Sequence, residues 1–455
     1  MTETTSDHTD SALPGTGEFF RVGNYAPVTD ELTAFDLPVE GAIPPELEGW
    51  YLRNGPNPRE ASGHWFAGDG MIHGVRIENG RAAWYRNRWV RTDSFVDPFP
   101  LYNPDGTRNL RASVANTNVV NHAGKTLALV ESSLPYEITN ELETVGPYDF
   151  GGKLADAMTA HPKICPATGE LHFFGYGNIV TPHVTYHRAD ANGELVIDRP
   201  LDVPALTMMH DFALTANHVV FMDLPIVFDV EIAARDDGDM PYRWDDDYGA
   251  RFGVLRRDDP YGAVRWFEID PCYVFHVANA FDRASADGDS IVVQAVRYPE
   301  LWRQDGGFDV DGVMWTWTID LQTGTVRESQ LDDRAVEFPR IDDRLATLPA
   351  RYAVSVGDAG LIRYDLLTGD AVEHRFGTDA SPGGPGEAVF VPSMSGAADE
   401  SSGWYLGYVY DPDRDGSDLV ILDASDFSGA PVARIKLPQR VPYGFHGNWI
   451  VGQPS

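Results

Sequence analysis

The stretch from Met158 to Tyr176 reads MTAHPKICPATGELHFFGY and combines two features that recur along the chain. His161 stands directly before Pro162 at the head of a turn, and the pair Thr168-Gly169 then separates two short segments. A glycine-containing turn between such segments is typical of a β-hairpin. We therefore predict a hairpin here, and we interpret His161, at its head, as a candidate metal ligand.

The alternation of short apolar segments and glycine turns continues through the sequence. Segments suited to strands flank Asn79-Gly80, Asn192-Gly193, Thr323-Gly324 and Thr368-Gly369. Many short strands joined by such turns are typical of a β-propeller or a large barrel. No GxGxxG motif follows a strand, which disfavours a doubly wound fold. The pattern predicts an all-β protein, but without an exact repeat it gives no number of blades.

Two segments interrupt this pattern and are expected to cover one face of the sheets as a cap. Asp149 to Met158 is a candidate helix that precedes His161. Asp229 to Gly253 is rich in Asp and too irregular for regular sheet, so we predict a loop there.

Charge and composition exclude several functions. The 455 residues include 69 acidic and 35 basic side chains, and the net charge of -34 repels nucleic acid. No run of apolar residues is long enough for a membrane-spanning helix. Residues 1–17 are acidic and lack an apolar segment, which predicts a disordered tail rather than a signal peptide, followed by one domain over residues 18–455. The two cysteines, Cys165 and Cys272, predict buried free thiols in a reducing compartment, and we expect a cytoplasmic location. The protein is also expected to be a monomer.

Four of the 13 histidines share an unusual setting, because each lies beside bulky apolar residues and a small or acidic residue. They are His161, His210, His276 and His446. Their spread along the chain suits a propeller axis, to which each inner strand contributes one side chain. Imidazole ligands suit Fe, Zn, Cu and Ni, so the residue types leave the metal open. For His64 and His73, which bracket glycines in HWFAGDGMIH, structural hydrogen bonding is the expected role.

Three glutamates occur in apolar or tightly turned settings, where an isolated carboxylate would be costly to bury. They are Glu131 in LALVESS, Glu337 in VEFPRI and Glu387 in PGEAVFVP. A carboxylate commonly holds the second nitrogen of a histidine that binds a metal. These glutamates are therefore candidate partners of the histidines, although edge-strand positions facing water remain the alternative.

Motifs along nearly the whole chain resemble those of the carotenoid cleavage oxygenase family. They include WYLRNGPNP, HWFAGDGMIH, ANTNVV, TAHPKICPATGEL, MHDFALTANHVVFMDLP, FHVANAFD, EFPRI, GEAVFVP and GFHGNWI. The resemblance implies a seven-bladed β-propeller with a helical and loop cap over an axial Fe(II). It assigns the four histidines above as ligands, with Glu131, Glu337 and Glu387 supporting His210, His276 and His446 respectively. Thr117, in ANTNVV, matches a position that crowds the open side of the iron.

The implied reaction is cleavage of a carbon-carbon double bond by O2 into two carbonyl products. Stilbene-cleaving relatives have a Lys before the first supporting Glu and a Tyr in the preceding strand, and the corresponding positions here are read as Val130 and Trp89. Lacking that cation and phenol, the chain is expected to act on an apolar carotenoid or apocarotenoid. Val130, Met208 and Phe275 are expected to line the substrate tunnel, with core packing as the alternative.

Two other readings stay open at this point. One is an enzyme that cleaves a stilbene or phenylpropenoid alkene to aromatic aldehydes. The other is a non-catalytic propeller that binds an apolar ligand. For the enzyme, the family resemblance also implies an apolar patch at the tunnel mouth that touches a membrane peripherally.

Overall fold

The computed structural model describes residues 21–59, 64–131, 133–235, 240–285, 288–304, 307, 310–394 and 399–452. The predicted tail, 1–17, lies outside these residues. Nearly all of the regular structure is β-strand. The helices are α1 (Asp93–Val96) and α2 (Val230–Ala233), and 3-10 turns occur at Gly23–Tyr25, Trp65–Ala67, Asp343–Leu345 and Ala424–Asp426.

The strands fall into two halves of the chain. In the first half they are β1 (Thr33–Phe35), β2 (Val39–Gly41), β3 (Gly49–Pro56), β4 (Gly70–Glu78), β5 (Arg81–Trp89), β6 (Asn118–His122), β7 (Lys125–Leu129), β8 (Tyr136–Ile138), β9 (Thr144–Pro147), β10 (Lys163–Ile164), β11 (Leu171–Tyr176), β12 (Val184–Ala189), β13 (Leu195–Leu201), β14 (Phe212–Leu214), β15 (His218–Asp223), β16 (Ile226–Phe228) and β17 (Tyr242–Trp244). In the second half they are β18 (Arg251–Arg256), β19 (Arg265–Glu268), β20 (Val277–Ser285), β21 (Gly288–Arg297), β22 (Val313–Asp320), β23 (Val326–Gln330), β24 (Glu337–Arg340), β25 (Tyr352–Val356), β26 (Gly360–Asp365), β27 (Ala371–Arg375), β28 (Gly377–Thr378), β29 (Ser381–Pro382), β30 (Gly384–Pro385), β31 (Val389–Pro392), β32 (Gly403–Asp411), β33 (Gly416–Asp423), β34 (Ala433–Lys436) and β35 (Gly447–Val451).

Within the described residues these strands form the seven antiparallel blades of a β-propeller, and the predicted fold is confirmed. From the axis outward the blades are β35-β3-β4-β5-β1, β6-β7-β8-β9, β10-β11-β12-β13, β14-β15-β18-β19, β20-β21-β22-β23, β24-β25-β26-β27, and β30/β31-β32-β33-β34-β2. The innermost strands of neighbouring blades contact one another, as β14 contacts β20 and β20 contacts β24. No helix in the described part of the chain is long and apolar enough to cross a membrane.

The ring is closed by strands from distant parts of the sequence. β35 pairs with β3, so a late strand provides the inner edge of the first blade. β2 pairs with β34, so an early strand provides the outer edge of the last blade. Backbone hydrogen bonds therefore link the first and last blades in both directions.

Local turn chemistry explains why the hairpins form where the sequence predicts them. Asn79 and Gly80 both have positive φ angles, 52° and 67°, and the flanking residues Glu78 and Arg81 pair directly. Two such residues in sequence give the turn whose twist matches that of a hairpin. The hairpin predicted around Gly169 is confirmed by the pairing of β10 with β11.

The predicted cap helix is absent, and the prediction for Asp149 to Met158 is wrong. Phe150, Gly151 and Gly152 have φ angles of 55°, 71° and 80°, which turn the chain away from a right-handed helix. The segment instead forms a turn in which the N–H groups of Lys153 and Leu154 donate to the carbonyl of Asp149.

The second cap segment is more regular than predicted. Between Asp229 and Gly253 the described residues contain α2 and β17, and β17 pairs with β16. The Asp229 carboxylate accepts hydrogen bonds from the N–H groups of Glu231 and Ile232, which starts α2. The cap is thus built mainly of loops and short elements rather than of long helices.

We expect Gly49→Ala to open the ring closure. A Cβ at Gly49 would lie 2.3 Å from the Ile450 carbonyl oxygen and 2.8 Å from the Trp449 ring, so β3 and β35 would have to separate. The expected loss in the free energy of unfolding is about 1–3 kcal/mol, measured by chemical denaturation. Val451, which pairs with Gly49 and is 72% exposed, provides the matched control as Val451→Ala. Equal stability of the two variants would contradict the closure argument.

Candidate metal centre

All seven blades present the start of their innermost strand to the same end of the axis. Four of these starts carry histidines: His161 before β10, His210 before β14, His276 before β20 and His446 before β35. The other three carry Thr117 before β6, Glu337 as the first residue of β24, and Glu387 before β31. The repeated position in the fold explains how residues spread over the whole chain come together.

The four imidazoles meet on the axis. The His161 ring centroid lies 4.4 Å from that of His210, 5.0 Å from that of His276 and 4.6 Å from that of His446. The Nε2 atoms of His210 and His276 are 3.3 Å apart. Potential ligand atoms of His161, His276 and His446 all lie within 4.8 Å of one another. All four side chains are buried or nearly so, and His276 is the most exposed of them at 12%.

Three of the imidazoles are held on their Nδ1 side by a glutamate from another blade. His276 Nδ1 donates to Glu337 Oε2 at 2.5 Å, and His446 Nδ1 donates to Glu387 Oε1 at 2.9 Å. His210 Nδ1 lies 2.5 Å from Glu131 Oε1, a close contact without the alignment of a hydrogen bond. A carboxylate at Nδ1 keeps the proton there and leaves Nε2 as the atom facing the axis.

Each glutamate has a further donor that the sequence reasoning missed. The Tyr176 hydroxyl donates to Glu131 Oε2, and the Tyr298 hydroxyl donates to Glu337 Oε1 at 3.0 Å. Arg340 Nη1 lies 3.2 Å from Glu387 Oε2, which also accepts the N–H of Gly447 at 2.8 Å. Tyr176 ends the stretch that opened the sequence analysis, but no local pattern marks any of these donors.

These contacts keep Glu387 and Glu337 ionised. Burial acts to raise the pKa of Glu387, but the charge of Arg340 and the contact with His446 hold it at about 2. Burial likewise opposes ionisation of Glu337, yet His276 lowers its pKa below the ordinary value. Burial would lower the pKa of His276, but the contact with Glu337 raises it overall.

His161 differs from the other three because, among the described residues, no glutamate forms a hydrogen bond or an ion pair with its ring, although a Glu131 oxygen lies within 4.8 Å of a ring nitrogen. Burial, followed by the proximity of the other imidazoles, lowers its pKa well below 6.5, so the ring is neutral. Its Nε2 is buried and has no hydrogen-bond partner in the described structure. Its backbone is fixed by Thr159, whose Oγ1 accepts the His161 N–H and donates to the His210 carbonyl, each at 3.2 Å.

Asp211 ties together the segments that carry three of the histidines. Its carboxylate accepts the N–H of Val277, next to His276, at 2.8 Å. It also accepts the N–H of Phe212 at 2.7 Å and contacts Lys163 Nζ at 2.7 Å. Asp211 is 2% exposed, so these contacts are made inside the protein.

The residues at the axis fit a bound divalent metal. The Nε2 of the neutral His161 ring is buried, lies close to three other imidazoles and has no hydrogen-bond partner among the described residues. Because buried polar atoms normally have a partner, this nitrogen is a suitable metal ligand. Among the described residues, three glutamates contact the imidazoles, whereas the one guanidinium that contacts a glutamate, Arg340, is shared between Glu387 and Asp343, so negative charge is in excess. A divalent cation bound by the imidazoles would balance that excess.

A cavity of about 770 Å³ reaches the imidazoles from the cap side. His210, His276 and His446 lie in its wall, together with Thr117, Glu131, Glu337, Val130, Met208 and Phe275. Phe275 packs edge-on against His210 at 5.2 Å, and Phe338 stacks on His276 at 5.2 Å. The metal site is therefore the polar end of a largely apolar chamber.

One residue singled out in the sequence, Trp89, lies elsewhere. Trp89 is outside the set that lines the cavity, and its Nε1 donates to the Asn57 carbonyl at 3.0 Å. Phe99 and Tyr102 line the cavity from the segment after it.

The remaining histidines and cysteines that drew attention also lie apart from the site. His64 Nδ1 accepts the Phe66 N–H, and His73 Nδ1 bonds the Tyr85 hydroxyl, so the structural roles expected of both are confirmed. Cys165 and Cys272 are buried free thiols, as predicted.

Comparisons with known proteins agree with this geometry. A family sequence model described as "Retinal pigment epithelial membrane protein" matches residues 25–451. A "Carotenoid cleavage oxygenase" of Mycobacterium tuberculosis is 39% identical, over 94% of this chain and 96% of its own length.

Two solved structures share the fold. The lignostilbene dioxygenase of Pseudomonas brassicacearum has a TM-score of 0.84 and 30% identity, and the match covers 97% of this chain and 99% of that one. The cobalt-substituted apocarotenoid oxygenase of Synechocystis has a TM-score of 0.82 and 27% identity, with coverage of 94% and 97% respectively. Since the family sequence model and the relatives span nearly the whole chain, the protein is a dioxygenase that belongs to the carotenoid oxygenase family.

Proposed function

We propose that the protein is an Fe(II)-dependent dioxygenase that cleaves one double bond of a carotenoid or apocarotenoid with O2. The observation that carries this proposal is the cluster of four imidazoles at the end of an apolar cavity, with three of them held by carboxylates. The names of the relatives support it, because they include a carotenoid cleavage oxygenase and an apocarotenoid oxygenase.

The reaction is balanced without an external electron donor. The double bond is broken, each of its two carbons receives one oxygen atom of O2, and two carbonyl products form. The chemistry that ferrous iron supplies when bound is the activation of O2. The four neutral imidazoles would hold it without cancelling its charge, and the three glutamates fix the ring orientations.

The cavity residues have positioning roles in this scheme. Val130, Met208 and Phe275 are 8%, 3% and 4% exposed and form an apolar wall beside the imidazoles, which excludes water from the reacting bond. Thr117 occupies the axial position of a blade that has no histidine, and its hydroxyl donates to Asn116 Oδ1 at 2.9 Å. Thr117 thereby narrows the open side of the site without offering a charged ligand.

The entrance of the cavity suits delivery of an apolar substrate from a membrane. Leu101 lines the cavity and is 53% exposed. Ile179 and Val180, exposed at 44% and 42%, lie next to Gly106 in the same region. These side chains support peripheral contact of a cytoplasmic enzyme with lipid.

An aryl alkene is the alternative substrate, and one comparison favours it. The structural match to the lignostilbene dioxygenase has the higher of the two TM-scores given above. Against it stands the apolar Val130 beside Glu131 in the cavity wall.

We expect His210→Ala to lose bound iron while the propeller stays folded, because sheet packing rather than the metal holds the blades. Iron content after Fe(II) loading and the thermal melting curve measure the two effects. His374, whose Nδ1 bonds the Phe427 carbonyl on an outer strand, serves as the matched control in His374→Ala. Full iron content in His210→Ala would refute its assignment as a ligand.

We expect Glu337→Gln to weaken iron binding by about 10–100-fold, because the carboxylate that holds His276 Nδ1 is lost. Competition with a chelator measures the change. Glu268→Gln removes an exposed carboxylate from the outer strand β19 and should bind iron as the parent does. Parent-like binding by Glu337→Gln would remove the orienting role from this residue.

Oxygen labelling tests the reaction itself. The iron-loaded protein is supplied with ¹⁸O2 and a panel containing a carotenoid, an apocarotenal and a hydroxystilbene. Products are reduced at once to alcohols, because aldehyde oxygens exchange with water. We expect one labelled oxygen in each of the two fragments of a polyene. Absence of O2 uptake with every alkene would overturn the proposal, and cleavage of the stilbene alone would favour the alternative.

A further inference from the structure

The wall of the apolar cavity contains a cation, Arg108. Its backbone is fixed on both sides, since its N–H donates to Asn178 Oδ1 at 2.8 Å and its carbonyl accepts from Asn103 Nδ2 at 3.1 Å. A β-bridge to Tyr102 adds a further constraint. The backbone of Arg108 is therefore fixed, which keeps its side chain in the cavity wall.

The guanidinium of Arg108 is partly buried and lacks the counter-ion that a charge in an apolar wall normally has. It forms no ion pair with any residue that the structure describes, and its Nε is buried without a hydrogen bond. Its nearest aromatic contact is the Tyr102 ring, 5.0 Å away. Gly177 leaves room beside it, because a Cβ there would lie 3.3 Å from the Arg108 Nε. Arginine stays charged in proteins, and even its partial burial without a counter-ion is unfavourable, so this arrangement favours a ligand group that accepts hydrogen bonds.

Two phenols line the cavity with Arg108. Tyr102 and Tyr242 both lie in the wall, and neither hydroxyl is hydrogen-bonded within the described residues. Burial raises the pKa of Tyr242 above its ordinary value, so its hydroxyl stays protonated and can donate. The neighbouring carboxylate, Glu131, already contacts Tyr176 and His210. Arg108, Tyr102 and Tyr242 therefore present hydrogen-bond donors to the cavity, and the described residues provide no acceptor for them.

We propose that Arg108, together with Tyr102 and Tyr242, binds a hydrogen-bond-accepting oxygen at the end of the substrate. The substrate is then a polyene that ends in an aldehyde, ketone or carboxylate, an apocarotenoid rather than a hydrocarbon carotenoid. This inference rests on the proposed function and narrows it. It also revises the sequence argument, which took the cavity to lack a cation and a phenol because it considered only Val130 and Trp89.

The location of these donors defines how the substrate lies. Leu101, next to Tyr102, lines the cavity and is 53% exposed, so the donors are near the opening. The imidazoles are in the same cavity wall. The oxygenated end of the substrate stays near the opening, and the hydrocarbon part extends toward the metal site.

The test compares Arg108→Leu with the parent on four alkenes: β-carotene, an apocarotenal, the matching apocarotenoic acid and a hydroxystilbene. For the apocarotenal and the acid we expect kcat/KM to fall at least ~10-fold, because a charge-assisted hydrogen bond is lost. For β-carotene we expect a change of less than about 2-fold. Dissociation constants of the metal-free protein, read from quenching of tryptophan fluorescence, should follow the same order, with the largest loss for the acid.

Further variants separate the charge from the fold. Arg108→Lys keeps the cation and should retain part of the binding, and Tyr242→Phe should weaken binding of the oxygenated substrates alone. Arg256, an exposed residue paired with Asp258, gives the matched control as Arg256→Leu, which should behave as the parent. Melting curves check that each variant is folded.

The outcomes are distinct. If the parent protein cleaves no alkene, the proposed function itself is wrong. Parent protein that cleaves the polyenes, with Arg108→Leu equally impaired on β-carotene and the acid, would overturn the inference alone. Loss confined to the hydroxystilbene would also overturn it, because the bound oxygen would then be a phenol.

Discussion

A carboxylate buried beside an imidazole must have its charge balanced, and this requirement connects the parts of the molecule. Glu131 follows β7 in the second blade and contacts His210 of the fourth blade. Glu387 lies before β31 in the last blade and contacts His446 of the first. Three of the four imidazoles are thus oriented by a blade other than their own, and the ion pairs run around the axis rather than along a single sheet. The geometry of the site therefore depends on the correct arrangement of several blades.

Balance of charge also separates the two ends of the cavity. Around the imidazoles the carboxylates exceed the cations that contact them, which favours a divalent metal. Near the opening the imbalance has the opposite sign, because Arg108 lies in an apolar wall without a counter-ion among the described residues. One chamber thus carries two incomplete sites of opposite charge, and the proposed substrate, a polyene with one oxygenated end, would complement the second while its double bonds approach the first.

Much of the fold could be predicted from local sequence, but its exceptions could not. The Asn79-Gly80 turn is specified by its own two residues. The helix expected at Asp149 to Met158 fails because Phe150, a residue that rarely adopts a positive φ, does so here under the surrounding packing. In the segment after Asp229, the acidic composition gave no indication that the side chains of Ile232 and Tyr242 are buried. The number of blades came from family resemblance, because strand spacing alone left it open.

Prediction of the site divides in the same way. The four histidines and three glutamates could be proposed from the family motifs that contain them, and the structure brings them together. Tyr298 and Arg108 could not be found in this way, because neither lies in one of the family motifs. Arg340 lies in EFPRI, but its contact with Glu387, 47 residues along the chain, cannot be read from that motif. From the sequence, Trp89 is read as matching a Tyr of stilbene-cleaving relatives, but its ring lies outside the set of residues that lines the cavity and bonds the Asn57 carbonyl instead.

The pairing of β35 with β3 has a consequence for how the protein is made. During synthesis the strand that follows His446 emerges long after the segments of His161, His210 and His276, yet it forms the inner edge of the first blade. An unfinished chain on the ribosome therefore offers an incomplete set of three imidazoles beside an unclosed ring. The fourth imidazole and the last contact of the ring arrive together, so the complete nitrogen cluster is available to a metal only in a chain whose tertiary structure is already closed.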